Sequence, residues 1–339
     1  LHSAFGSNGY ENGNTKHRHC ARCDWSDRTM NKMLNNQLLT MNSKSNIRRM
    51  TYILFILFSF SFSQVTTEQF YHGARSMALA GSNVAHQVDA FASFENPAAL
   101  TQLKSHSGVF SFEEMSGQSY LPHASFSGAF VLGDKGVLGL SAENLSVTAG
   151  GVQLTQETAI GGHYGFFLQK DRHSSLAIGI GAKYLSVNYG KSAGASGDGS
   201  DGIDLGQSQT LGLDLGLQAS LEGRHWMGVF VKNINQPQLG KGNLVDLPRT
   251  VNIGLAYSPY DLVWTNFSLH RAVGYDTQYS AGLEYELLPG FVLLSGVHSN
   301  PNRLGMGFRL RVKSLNIDYG LLTHPVFSLT HQVSMGINF

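Results

Sequence analysis

The sequence predicts an all-β fold: a transmembrane antiparallel β-barrel of about 14 strands with an N-terminal hatch or plug segment. Three observations carry this. First, from Phe327 to Phe339 the odd positions are apolar except His331, and the even positions are Ser, Thr, Gln, Gly or Asn. That is period-2 alternation, one greasy face and one polar face. Second, only 14% of the 339 residues are charged and 39 are Gly, while mean hydropathy is −0.10. Strands that give one face to lipid and keep the other polar average near neutral, whereas a helical membrane protein would be far more hydrophobic. Third, tight turns and longer connections alternate along residues 106–339, as they do between the two ends of a bacterial barrel.

Residues 1–40 are polar, aperiodic and hold both cysteines, Cys20 and Cys23. A lone Cys-x-x-Cys lacks the second half of a metal site, so this stretch reads as upstream or artefactual sequence. Residues 41–63 read as a signal peptide. Lys44, Arg48 and Arg49 precede the apolar run from Met50 to Phe62, and Ser61 and Ser63 are small residues at the cleavage site. The run is too short for a spanning helix, which needs about 20 residues.

Residues 64–105 do not alternate. Ala- and Leu-rich pieces are broken by Gly81 and Asn96-Pro97, which suggests short helical turns.

Residues 106–339 form the barrel. Strands are expected near 107–114, 122–133, 135–147, 156–169, 174–189, 207–221, 225–234, 248–258, 261–270, 276–287, 290–298, 303–312, 314–322 and 326–339. Leu211, Leu213, Leu215 and Leu217 share a face opposite Gly212, Asp214, Gly216 and Gln218. Turns at 133–136, 170–172, 222–224, 258–260, 288–290 and 312–313 are tight, while 190–206 and 235–247 are long. Tyr184, Tyr189, Tyr257, Tyr260, Tyr285, Phe291, Phe327 and Phe339 fall near strand ends, as interfacial girdles would. The short turns and both termini are expected on the periplasmic side of a bacterial outer membrane.

A charge facing lipid at mid-depth costs roughly 2–4 kcal/mol. Alternation therefore assigns Glu143, Lys183, Asp214, Lys232, Glu284, Glu286, Arg309, Arg311 and Asp318 to the lumen. They either line a polar passage or pair with one another and with Arg75, Asp89 or Glu95. Net charge is +1, which gives no case for nucleic acid. Asp198, Asp201 and Asp204 match no calcium-loop spacing. Consecutive His298-Ser299-Asn300 cannot form a catalytic relay, whose side chains converge from different elements. Neither enzyme activity nor a metal or other cofactor is expected.

The blocks Gly73-Ala74-Arg75, Ala78-Leu79-Ala80-Gly81, Asp89-Ala90 and Asn96-Pro97-Ala98-Ala99-Leu100 resemble the N-terminal region of the PorV/PorQ family. They are also similar to the wider FadL-like superfamily of long-chain fatty-acid transporters. The resemblance implies a hatch inside the barrel with Asn96, Pro97 and Ala98 near the lumen wall. It implies one of two tasks. The first is transport of hydrophobic small molecules, with Phe70, Tyr71, Met77, Leu79, Phe91 and Phe94 as apolar ligand contacts. The second is an accessory barrel of a type IX secretion system that binds protein partners. Outer-membrane lipid and the barrel-assembly machinery are the other expected partners, with Phe339 as the assembly signal. Deleting Phe339 is expected to leave the protein periplasmic, and fractionation of cells expressing the truncation checks this.

Overall fold

The computed structural model describes residues 71–339 apart from 150, 193, 198–200 and 241–244. The readings for residues 1–40 and 41–63, and Phe70, lie outside the described residues. No helix among the described residues is long and apolar enough to cross a membrane.

Two short helices open the described residues, α1 (Ala74–Ala78) and α2 (Ala92–Glu95), and a 3-10 turn follows at Pro97–Gln102. The strands come next: β1 (Ser107–Glu114), β2 (Pro122–Val131), β3 (Val137–Ala149), β4 (Val152–Lys170), β5 (Ser174–Asn188), β6 (Gln207–Leu221) and β7 (His225–Lys232). A small hairpin, β8 (Gln238–Leu239) with β9 (Val245–Asp246), interrupts them. The series ends with β10 (Thr250–Tyr260), β11 (Val263–Ala272), β12 (Gln278–Leu288), β13 (Phe291–His298), β14 (Arg303–Val312), β15 (Leu315–Leu322) and β16 (Thr330–Asn338). Without the small hairpin, 14 strands form one closed antiparallel barrel in sequence order. Closure satisfies every strand edge, a requirement in lipid where no water can pair an exposed amide.

The last strand closes on the first, with Phe110 opposite Met335 and Ser107 opposite Asn338. Val333, Met335 and Ile337 point outward and are about half exposed, while Gln332 and Ser334 are buried inside. β16 is shorter than the alternation suggests. The His324 ring accepts from the Val326 and Phe327 amides, so 326–329 belong to the connection. His331 is therefore the second residue of the strand, at its rim. It faces outward and bonds the Tyr319 hydroxyl at 2.7 Å, which gives the imidazole a partner where an aromatic belt would sit.

Other boundaries also shift. A bulge between Tyr257 and Tyr260 moves the expected turn at 258–260 onto Asp261 and Leu262. The long connection 235–247 contains the β8–β9 hairpin. Its Leu239, with Leu247, packs against the inner-face residues Ala159, Leu185 and Val187. Tyr189 joins that cluster, so it belongs to the lumen side and not to a lipid-facing girdle.

Residues 71–105 fill the interior, and nearly all of them are buried. Their main chain lies on the wall at a belt of inward glycines that are direct cross-strand partners. Gly165 pairs with Gly179, Gly179 with Gly216, Gly228 with Gly254, Gly282 with Gly296 and Gly296 with Gly305. A Cβ on Gly165 would meet the Pro97 carbonyl at 2.6 Å, and one on Gly305 would meet the Ala78 carbonyl at 2.5 Å. Gly179→Leu is expected to destabilise the protein by about 1–3 kcal/mol, the usual scale of overpacking, since any Cβ there collides with the Pro97–Ala98 main chain. The same change at Gly162, an exposed strand glycine of ordinary φ with open space around it, serves as the control. The temperature at which the folded band unfolds on an electrophoretic gel measures both.

Candidate functional site

The contact between the inner segment and the wall is where chemistry concentrates. The segment enters at Tyr71, turns through α1, runs as loop from Ala80 to Asp89, and turns again through α2. Asn96 anchors the last turn. Its side-chain oxygen accepts from the Ala98 amide at 3.1 Å, and its amide nitrogen donates to Val84 O and Leu217 O at 3.2 Å. Pro97 follows at the first turn position, where a missing N–H costs nothing. Asn96, Pro97 and Ala98 thus sit against the wall, beside Gly179 and Gly216.

Ion pairs and His–Glu contacts join segment to wall. Arg75 grips Glu284 of β12 in a fork, Nε to Oε2 at 3.0 Å and Nη2 to Oε1 at 2.6 Å. Asn266 also donates to Glu284, at 3.0 Å. Asp89 accepts from Arg309 of β14 at 2.7 Å, and Arg309 holds Asp318 of β15 in a second fork. His72 meets Glu143 of β3 at 2.9 Å and approaches Glu95 at 3.8 Å. Glu143 in turn approaches His123 of β2, which bonds Glu113. Burial alone would raise Glu95, but His72 and Ser76 beside it hold its carboxyl below the usual value. Burial pushes His86 down, and its ring stacks on Trp264 with centroids 3.9 Å apart.

The lumen charges therefore divide. Glu143, Asp214, Lys183, Glu284, Arg309 and Asp318 are buried. Lys232 is half-buried and, with Lys183, Asp214 and His163, lines a polar cavity of about 10 Å³ beside His72 and Phe94. That is room for about one water molecule. Glu286 and Arg311 pair at 2.8 Å with side chains 26% and 45% exposed, so they occupy the turn-side rim and not the sealed interior.

The apolar candidates do not converge on one pocket. Met77 and Tyr71 pack with Leu322. Leu79 packs with Val292 and Leu294. Phe91 and Phe94 join Leu100, Val109 and Val137, and Phe94 also stacks on His72 at 4.0 Å. Three patches around the segment thus replace a single site. Elsewhere, Asp201 accepts from Ser196 and Ala195, and Asp204 from Gly206. Asp198 lies outside the described residues. His298 faces Pro301 O, and Asn300 donates to Thr277 O.

The described residues thus form a closed 14-strand barrel whose interior is filled by the chain's own residues 71–105. No family model and no curated protein matches the sequence. Solved structures do match. The CymD monoaromatic hydrocarbon channel is 15% identical with a TM-score of 0.57, over 79% of this chain and 97% of that one. The Pseudomonas putida toluene transporter TodX is 12% identical with a TM-score of 0.56, over 79% and 98%. A Pseudomonas aeruginosa FadL homologue is 11% identical with a TM-score of 0.51, over 79% and 98%. At such identities the likeness is one of fold.

Removing one member of a buried pair costs about 3–5 kcal/mol because the other charge is stranded. Glu284→Ala is therefore expected to loosen the inner segment, and Arg75→Met in the same chain to recover part of the loss. Maleimide labelling of Ser76→Cys reads this out, rising in the single variant and falling back in the double. Ser76 lies within the held region, 2% exposed.

Proposed function

We propose that the protein carries hydrophobic small molecules across the outer membrane, and that residues 71–105 are the hatch that must move for passage. The short turns and both termini face the periplasm in this reading. The observation that carries it is the filled lumen: a FadL-like barrel closed by a segment resting on glycine. At the belt the wall itself contributes no side chain to the contact, so movement of the segment there meets no wall rotamer that must change. A shift would uncover the apolar patches at Leu79, Met77 and Phe91, surfaces suited to an apolar passenger. The structural likeness to hydrocarbon channels supports the same substrate class.

A second reading is favoured by the ion pairs. A lumen held shut by Arg75–Glu284 and Asp89–Arg309 also suits an accessory barrel that stays plugged and binds protein partners, as the PorV/PorQ resemblance implies. Locking the hatch separates the two. Ser93 and Ser127 hydroxyls are 3.1 Å apart, so Ser93→Cys with Ser127→Cys can tie hatch to wall. Under transport, the oxidised protein loses uptake of a radiolabelled aromatic hydrocarbon into liposomes and regains it on reduction. Under the second reading, uptake is absent in every form, and protein partners co-purify equally with the locked barrel.

A further inference from the structure

Between the β6–β7 and β10–β11 turns lies a surface groove of about 470 Å³, lined by Arg224, Tyr260, Asp261, Leu262, Val263 and Tyr285. Its floor is lipid-facing. Val263 and Tyr285 are direct cross-strand partners at the ends of β11 and β12, and Tyr285 and Leu262 are 41% and 52% exposed. Its head is charged. Arg224 Nη2 donates to Asp261 Oδ1 at 2.7 Å, with the side chains 48% and 86% exposed. The bulge after Tyr257 sets Tyr260 opposite Val263, where its ring is 73% exposed. An amphipathic ring at such a rim rests at headgroup level.

We propose that this groove binds one phosphatidylethanolamine molecule of the surrounding leaflet. The lipid's charges complement the pair that is already there. Arg224 has five N–H donors in a fixed fork and spends few of them on Asp261 and on Pro259 O, so it can also hold the lipid phosphate. Asp261 projects into solvent and can accept from the primary ammonium. An exposed pair of this kind contributes little to folding, so stability alone gives no reason to place opposite charges above an apolar floor. The pair also selects among headgroups. A choline carries a positive charge but donates no hydrogen bond, and a glycerol headgroup offers the carboxylate only neutral hydroxyl donors, weaker partners than a charged ammonium. The acyl chains then lie over Leu262, Val263 and Tyr285. The site is outside the barrel, so it is independent of whether the hatch opens.

Native mass spectrometry of the detergent-purified protein, titrated with dioleoyl phosphatidylethanolamine, phosphatidylcholine or phosphatidylglycerol, tests this. One phosphatidylethanolamine is expected to be held about tenfold more tightly than either rival, a gap of roughly 1.4 kcal/mol. Asp261→Asn is expected to abolish the preference over phosphatidylglycerol. Arg224→Ala with Asp261→Ala is expected to abolish selective binding altogether, with the barrel still folded on a gel. Lys313→Ala, at a different turn, is expected to change nothing. Equal binding of the three lipids, tighter phosphatidylglycerol binding, or an unaltered preference in the double variant would overturn the proposal.

Discussion

Everything in this structure follows from putting peptide main chain directly against the inside of a barrel wall. Two backbones approach that closely only where one of them has no Cβ. The wall meets the constraint with glycines that face one another across strands: Gly165, Gly179 and Gly216 on one side, and Gly282, Gly296 and Gly305 on the other. Glycine in a strand gives up packing and weakens the strand. Here the lost contacts are replaced by the carbonyls and amides of residues 78–98. Serines fill the same level where more room exists, as Ser127 does toward Ala90 O and Ser268 toward Ser82 O. The inner segment is thus bound mostly by its backbone, and its fit depends on what the wall lacks.

Backbone contact alone does not fix position along such a smooth belt. The ion pairs do. Arg75 with Glu284 and Arg309 with Asp318 use forked guanidinium geometry that tolerates little displacement, and the Arg309 so fixed holds Asp89 through one further bond. These pairs are poor sources of net stability, because removing charges from water offsets much of their attraction. Their effect is to define one arrangement against alternatives that slide or rotate. Arg75–Glu284 and Asp89–Arg309 each have one partner on a strand and the other in the inner segment, so the wall's tilt and register decide where the segment stops.

Much of this was legible in the sequence, because alternation is a direct consequence of strand geometry in lipid. Leu211, Leu213 and Leu217 are exposed outward while Asp214 and Gln218 are buried, as their parity requires. Pairing of Glu284 and Arg309 with Arg75 and Asp89 was one of two open outcomes, since parity gives a face but not a partner. The meaning of the glycines was missed. Gly212, Gly216, Gly305, Gly307 and Gly320 stand in the polar set of their strands, yet only register shows which share a level. Tabulating inward glycines strand by strand shows that most strands carry one, and register then aligns them. The apolar residues of the inner segment failed differently. Phe91, Met77 and Leu79 belong together by chemistry, but the segment winds around the lumen and sends them to separate parts of the wall.

That separation bears on the transport proposed for the barrel. A single apolar pocket would let a passenger bind without moving anything. Three separate apolar patches, each covered by the segment, provide no such resting place. Under the proposed transport, an apolar molecule would exchange its own surface for contacts the segment already makes, and the loop that touches two of the charged anchors would have to move with it. Arg75 and His86 both lie against Glu284, and Asp89 follows His86 by three residues on the same loop. Displacing that loop strains both anchors at once. The filled lumen is therefore better understood as a cooperative closure than as a series of independent contacts, and the glycine belt is the track on which the closed segment rests.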